Sequence, residues 1–165
     1  MLFRSHRIGP LVSPAHYAKV SAFLDLGAEV LHGGKTRDGR YVEPTVLALP
    51  DNRGRVAREE IFGPVLAVIT CDSLAEAVAI ANDTDYGLTA SVFTAHGARA
   101  LRAARAIRAG TVTINSFGEG DAATPFGGHK QSGFGGRDKS IYAHDQYTQI
   151  KTIWMDLSDA GTDGV

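Results

Sequence analysis

The most constraining feature of this sequence is an alternation between Val65 and Asn115. Val65–Thr70 reads as a strand. Ser73-Leu74-Ala75-Glu76 is a capping box that opens a helix with Leu74, Ala77, Val78 and Ala81 on one face. Thr89–Phe93 reads as a second strand, and a helix from about Ala98 carries Leu101, Ala104 and Ile107 inward until Gly110, which suits a left-handed cap. Thr111–Ile114 is a third, β-branched strand. Strand, helix, strand, helix, strand amounts to two βαβ units, so the expected fold is α/β with a parallel βαβ sheet and right-handed crossovers. Chemistry on such sheets sits in loops beyond the carboxyl ends of the strands. Asn115 opens such a loop.

Upstream, Ser13 and Pro14 read as N-cap and first residue of a helix with Tyr17, Val20, Phe23 and Leu24 on its apolar face, stopped at Gly27. A short strand at Val30-Leu31 turns at Gly33-Gly34. Gly34-Lys35-Thr36 is not a phosphate loop, because Glu29 stands where the motif needs glycine. Tyr41–Leu49 reads as strand and Val56–Ile61 as a short helix. With 165 residues, 44% of them hydrophobic, the chain has room for about one domain with one core. A net charge of −1 gives no reason to expect nucleic acid or an anionic membrane as partner. No apolar run approaches the roughly 20 residues a membrane helix needs. No signal peptide is visible. The six histidines never stand at metal-ligand spacing, so no metal is expected.

Two stretches carry candidate chemistry. In Glu59-Glu60-Ile61-Phe62-Gly63-Pro64 two carboxylates and a ring stand at a helix-to-strand junction, since Gly63 and Pro64 break any helix and Val65 begins an apolar run. Two descriptions fit: a charged helix end with Phe62 in the core, or a site where Glu60 meets ligand hydroxyls and Phe62 meets a flat ring. The second stretch runs from Ser116 to Ser132. Gly118–Ala123 fits the dinucleotide pattern G-x-G-x-x-A, but Thr124-Pro125 follows and no helix opens, so this is a flexible loop ending at Phe126 and Gly127-Gly128. Arg99, Arg102, Arg105 and Arg108 form a basic stripe, read as a solvated face.

Glu-Glu-Ile-Phe-Gly-Pro closely resembles the signature of the NAD(P)-dependent aldehyde dehydrogenase superfamily. Further matches follow in order: Gly9–Ser13, Glu43–Val46, Asn82–Leu88, Gly110–Asn115 and Pro125–Gly133. The resemblance covers Ile8 to about Leu157 and implies the C-terminal third of such an enzyme. It implies that Glu60 bonds the nicotinamide ribose hydroxyls of NAD or NADP, Phe62 flanks the nicotinamide, Asn115 shapes the strand end and Phe126 walls the aldehyde site. The family's thiolate nucleophile and general-base glutamate have no counterpart here. Cys71, the only cysteine, lacks the expected Gly-Gln before it and reads as a small structural residue. No residue is therefore assigned a catalytic role, and the chain by itself is expected to be inactive. One cysteine also excludes an internal disulfide and fits a reducing cytoplasm.

The expected organisation is a non-family leader at 1–6, an assembly artefact on a truncated frame; the C-terminal part of the catalytic domain at 7–145; an oligomerisation strand at 146–157 that pairs with a neighbouring subunit; and a disordered tail at 158–165. Asn115–Gly133 and the Lys151–Trp154 ending look most like the aminoaldehyde dehydrogenases of polyamine breakdown, such as the γ-glutamyl-γ-aminobutyraldehyde enzyme. Glu119 and Asp121 then stand where a substrate ammonium can be paired. Two other descriptions stay open: a non-catalytic interaction module, and a fragment of an enzyme that passes its thioester to coenzyme A.

Overall fold

The computed structural model describes residues 8–118 and 120–156. The leader, Glu119 and the tail beyond Asp156 lie outside the described residues. The chain divides into two compact units, the first holding everything up to Asp85 together with Thr94–Arg108, the second Tyr86–Phe93 and the chain from Ala109 on.

The first unit opens with helix α1 (Pro14–Leu24), started by Ser13, whose Oγ accepts the His16 N–H at 3.1 Å. Three strands follow as β1 (Glu29–His32), β2 (Thr36–Arg37) and β3 (Tyr41–Val42), then β4 (Thr45–Ala48), the short helix α2 (Arg55–Arg58), β5 (Val65–Val68) and helix α3 (Leu74–Asn82). The strand read over Tyr41–Leu49 is split. Pro44 has no N–H to give a ladder, so β3 forms a hairpin with β2 while β4 joins a sheet of order β1-β4-β5. β4 and β5 run parallel, with Thr45 opposite Val65 and Ala48 opposite Val68.

Val20 and Phe23 of α1, Val42, Leu47, Val56 and Ile61 form the buried core, with Tyr17 and Leu24 packed against it. That is the face read from the sequence of α1. Each large side chain buried there contributes about 1.5–3 kcal/mol. Helix α4 (Gly97–Ala106) also belongs to this unit. Its buried residues are Ala100 and Ala103, and Leu101, expected inward, is exposed. Its last turn is closed by Asn82, whose Nδ2 donates to the Ala106 carbonyl at 2.8 Å and whose Oδ1 accepts the Arg108 N–H at 2.7 Å.

The second unit contains β6 (Tyr86–Gly87), β7 (Thr89–Val92), β8 (Thr111–Ile114) and β9 (His129–Lys130), then a 3₁₀ helix at Ile141–Tyr147. β7 and β8 pair in parallel, and β6 pairs antiparallel with β9. The expected parallel sheet is therefore present as two parallel pairs, β4 with β5 and β7 with β8. The reading of Val65–Asn115 as two successive βαβ units holds for β7 to β8, whereas β5 takes the earlier strand β4 as its neighbour. A run of alternating elements says which strands can be parallel, not which are adjacent.

Gly110 departs from its expected role. α4 is capped by Ile107 with extended backbone, and Gly110 is needed for room, because a Cβ there would run into the Gly127 carbonyl oxygen. The strand read over Tyr147–Asp156 is not present among the described residues: Tyr147 closes the 3₁₀ helix and no strand follows it. Thr148 has extended backbone (φ −125°, ψ 152°), residues 148–156 are exposed, and no described strand pairs with them.

Candidate functional site

Helix α2 ends at Arg58, and Glu59 leaves it with extended backbone (φ −100°, ψ 145°). The two acids then part company. Arg55 donates from Nε and Nη2 to the two carboxylate oxygens of Glu59, one helical turn on. That hydrogen-bonded guanidinium holds the Glu59 carboxyl below its usual range. Glu60 is exposed, and its carboxylate has no hydrogen bond or ion pair among the described residues. Only its backbone carbonyl is engaged, by Lys19 Nζ at 2.8 Å.

Ile61 goes into the core, and Phe62 does not: its ring is 69% exposed and its backbone sits at φ +60°. Of the two descriptions of this stretch, a core aromatic is excluded. A bulky residue in the left-handed region is strained, and such strain collects where a structure over-determines it. The Phe62 carbonyl accepts a 2.6 Å hydrogen bond from His16 Nε2, and the two rings lie tilted with centroids 6.0 Å apart. A free carboxylate adjoining an outward ring suits a ligand that offers a pair of hydroxyls next to a planar group. The nicotinamide riboside half of NAD or NADP has that chemistry. Sequence reasoning missed His16 and Lys19, and the signal that could have found them is their three-residue spacing on α1, which puts both on one face.

In the second unit, Asn115 ends β8 at φ +50°, a conformation asparagine tolerates, and its N–H is bonded to the Val92 carbonyl at 2.8 Å. No helix opens among the described residues of the loop that follows, as expected from Pro125. Asp121 shapes it instead: Oδ1 accepts from the Thr124 hydroxyl and from the Ala123 N–H, both at 2.9 Å. The Thr124 bond foremost, then the Ala123 bond, holds the Asp121 carboxyl below its usual range. Because its folded value is depressed, what this turn contributes is present at neutral pH and lost as pH falls through that depressed value. The Asp121 side chain is exposed to solvent.

Phe126 is half-buried and pinned by a two-way backbone bridge to Asp138, at 2.8 and 2.6 Å. The Lys139 ammonium lies 5.3 Å from its ring centroid. With Leu88, Ser132, Phe134 and Gln146 it lines a shallow depression of about 200 Å³. Cys71, read as a structural residue, is exposed. No described group of His, Cys, Asp and Glu is arranged to hold a metal ion, and no described helix is long and apolar enough to cross a membrane.

The sequence model of the aldehyde dehydrogenase family matches residues 2–153. The chain belongs to that family. The match takes in positions 2–6, expected from the sequence to be a leader outside the family. The aminoacetaldehyde dehydrogenase of Pseudomonas aeruginosa is 58% identical over 157 residues, 93% of this chain and 32% of its own length. The NADP/NAD-dependent aldehyde dehydrogenase PuuC of Escherichia coli is 41% identical over 154 residues, 91% of this chain and 31% of its own. A solved indole-3-acetaldehyde dehydrogenase complexed with NAD+ superposes with a TM-score of 0.85 at 46% identity, over 93% of this chain and 32% of that one. The aldehyde dehydrogenase KauB from Pseudomonas aeruginosa gives 0.83 at 45% identity, over 90% and 31%. The chain thus spans about a third of the length of the aldehyde dehydrogenases it matches.

Proposed function

We propose that this chain is the C-terminal third of an NAD(P)-dependent aldehyde dehydrogenase that oxidises an aminoaldehyde to its carboxylate. The observation that carries the reading is the contrast at the α2–β5 junction, where Glu59 is tied to Arg55 while Glu60 is left free next to an outward, strained Phe62. Glu60 would accept hydrogen bonds from the nicotinamide ribose hydroxyls, and Phe62 would lie against the nicotinamide. The cofactor, when bound, supplies the hydride acceptor. Glu60 and Phe62 fix where that acceptor stands, and Phe126 forms a wall for the aldehyde. The thiolate that takes the aldehyde as a thiohemiacetal is supplied by the rest of the enzyme, and Asn115 shapes the β8 end. The work of this third is positioning, which in intramolecular systems is worth several kcal/mol of barrier.

The aminoaldehyde class is supported by the 58% identical relative, whose name is aminoacetaldehyde dehydrogenase, and by the loop acids Glu119 and Asp121. Asp121 holds its turn through Oδ1 and is exposed, so its charge is accessible to a substrate ammonium. In the full-length enzyme, kcat/KM is expected to be higher for 4-aminobutyraldehyde than for butyraldehyde. Replacing Glu119→Gln together with Asp121→Asn should remove about tenfold or more of that preference, the value of a charge-assisted hydrogen bond. A preference that survives the double substitution, or no preference at the start, leaves the family assignment standing and removes the substrate.

We place the homo-oligomer contact on 148–156. Ile150, Ile153, Trp154 and Met155 are all more than 70% exposed there, and an exposed apolar segment that joins no described sheet is a template for pairing with another chain. Light scattering on this chain is expected to show association that rises with concentration and falls on Ile150→Lys with Trp154→Lys. A monomer at millimolar concentration contradicts the assignment.

A further inference from the structure

Three residues of α1 meet the segment 60–63, and nothing assigns them a role. His16 Nε2 donates to the Phe62 carbonyl at 2.6 Å, Lys19 Nζ donates to the Glu60 carbonyl at 2.8 Å, and the Val20 methyls approach Gly63 so closely that a Cβ there would lie 2.8 Å from them. They stand at i, i+3 and i+4, on one helical face. We propose that His16 and Lys19 are positioning residues that clamp the 60–62 backbone to α1, hold Phe62 in its left-handed conformation, and so turn the Glu60 carboxylate and the Phe62 ring toward a nicotinamide riboside. The inference rests on the reading of Glu60 and Phe62 given above.

The geometry requires such a role in two ways. A carbonyl only accepts, so His16 must carry a proton on Nε2, and the ring is then oriented by that bond alone. Its Nδ1 is buried with no partner among the described residues. A buried polar atom left unpaired is costly, and a structure that accepts it is meeting another demand. Holding the carbonyl of a strained residue is such a demand. Lys19 acts at the other end of the same three residues: its bond holds the 60–61 peptide unit and the His16 bond holds the 62–63 unit, so the Ile61-Phe62 pair is fixed from both sides and Phe62 is kept at φ +60° although no glycine stands there. Ile61, between the two carbonyls, is buried and supplies the anchor.

The test uses His16→Ala, His16→Gln and Lys19→Met. Glutamine keeps an N–H donor at the end of its side chain, and methionine keeps most of the lysine stem while deleting the donor. The first readout is amide hydrogen exchange of the 60–66 peptide in this chain at low micromolar concentration, with the α3 peptide 74–82 as internal reference. His16→Ala and Lys19→Met are each expected to speed exchange at 60–66 about fivefold, the value of one lost hydrogen bond, and His16→Gln to restore it. Unchanged exchange in both deletions overturns the clamp. The second readout is NAD+ affinity and the single-turnover hydride-transfer rate of the full-length enzyme. His16→Ala is expected to slow the rate while affinity stays within about threefold, with rescue by His16→Gln. Faster exchange with an unaltered transfer rate upholds the clamp and overturns the nicotinamide reading of Glu60 and Phe62, so the two claims fail separately.

Discussion

Glu60→Gln in the full-length enzyme is expected to slow single-turnover hydride transfer about ten- to hundredfold while NAD+ affinity changes by no more than about threefold. The substitution keeps the shape of the side chain and removes a full negative charge. On the proposed role of Glu60, what it loses is the charge-assisted part of the hydrogen bonds to the ribose hydroxyls, about 1.5–3 kcal/mol, which converts to that range of rate. Overall affinity should hold because the adenosine and pyrophosphate end is bound by the rest of the enzyme, so the loss falls on how the ring is aimed. Glu59→Gln is the paired control. Its carboxylate is occupied by Arg55 in an exposed pair, so little change is expected in stability and none in hydride transfer. If Glu60→Gln transfers hydride at the native rate, Glu60 is a surface charge like its neighbour, and the ribose contact must be sought elsewhere.

That contrast also marks how far the sequence could be read. Gly63-Pro64 followed by Val65–Ile69 places a helix-to-strand junction on local grounds alone, and the structure has one there. The capping box at Ser73–Glu76 and the N-cap at Ser13 are equally local, and both form, with each serine Oγ bonded to the N–H three residues on. What local pattern could not give is the direction of Phe62. Alternation would send Ile61 and Phe62 to opposite faces without saying which goes inside, and the answer depends on His16 and Lys19, more than forty residues away. Helix α4 failed for a related reason. Leu101 is its most apolar residue, yet the buried side chains are the small Ala100 and Ala103, and the helix turns Leu101 outward. The loop at 118–126 was legible by exclusion, since Pro125 forbids the helix a dinucleotide motif requires. That Asp121 would spend one oxygen on its own turn was in principle visible in Asp-Ala-Ala-Thr, where an acid can cap the N–H two residues on.

Gly110→Ala is expected to have the largest effect on stability of any substitution considered, about 3 kcal/mol or more, with loss of amide protection across β7, β8 and the Phe126 loop together. Gly110 does not sit at positive φ, so the cost is not left-handed backbone strain. It comes from the Gly127 carbonyl oxygen, which occupies the place a Cβ needs. Either neighbour must move, and neither has slack. The Gly110 N–H is bonded to the Gly87 carbonyl at 3.0 Å and the next N–H to the Leu88 carbonyl at 3.1 Å, which fix the start of β8. On the other side, a Cβ on Gly127 would itself meet the Gly136 carbonyl, and one on Gly128 the Ser132 carbonyl. Three backbone segments are thus stacked through glycines, and a methyl group at the first forces the other two apart. The second unit has no large buried hydrophobic side chain among its described residues to absorb the change. Gly97→Ala is the control for composition: nothing lies within 4 Å of a Cβ there, and at the start of α4 alanine should stabilise by about 0.4–1 kcal/mol. Urea unfolding of both variants decides the matter. A Gly110→Ala protein within about 0.5 kcal/mol of the native chain would show that the loop can give way without cost, and Phe126 would then be too loosely held to serve as a wall for the aldehyde.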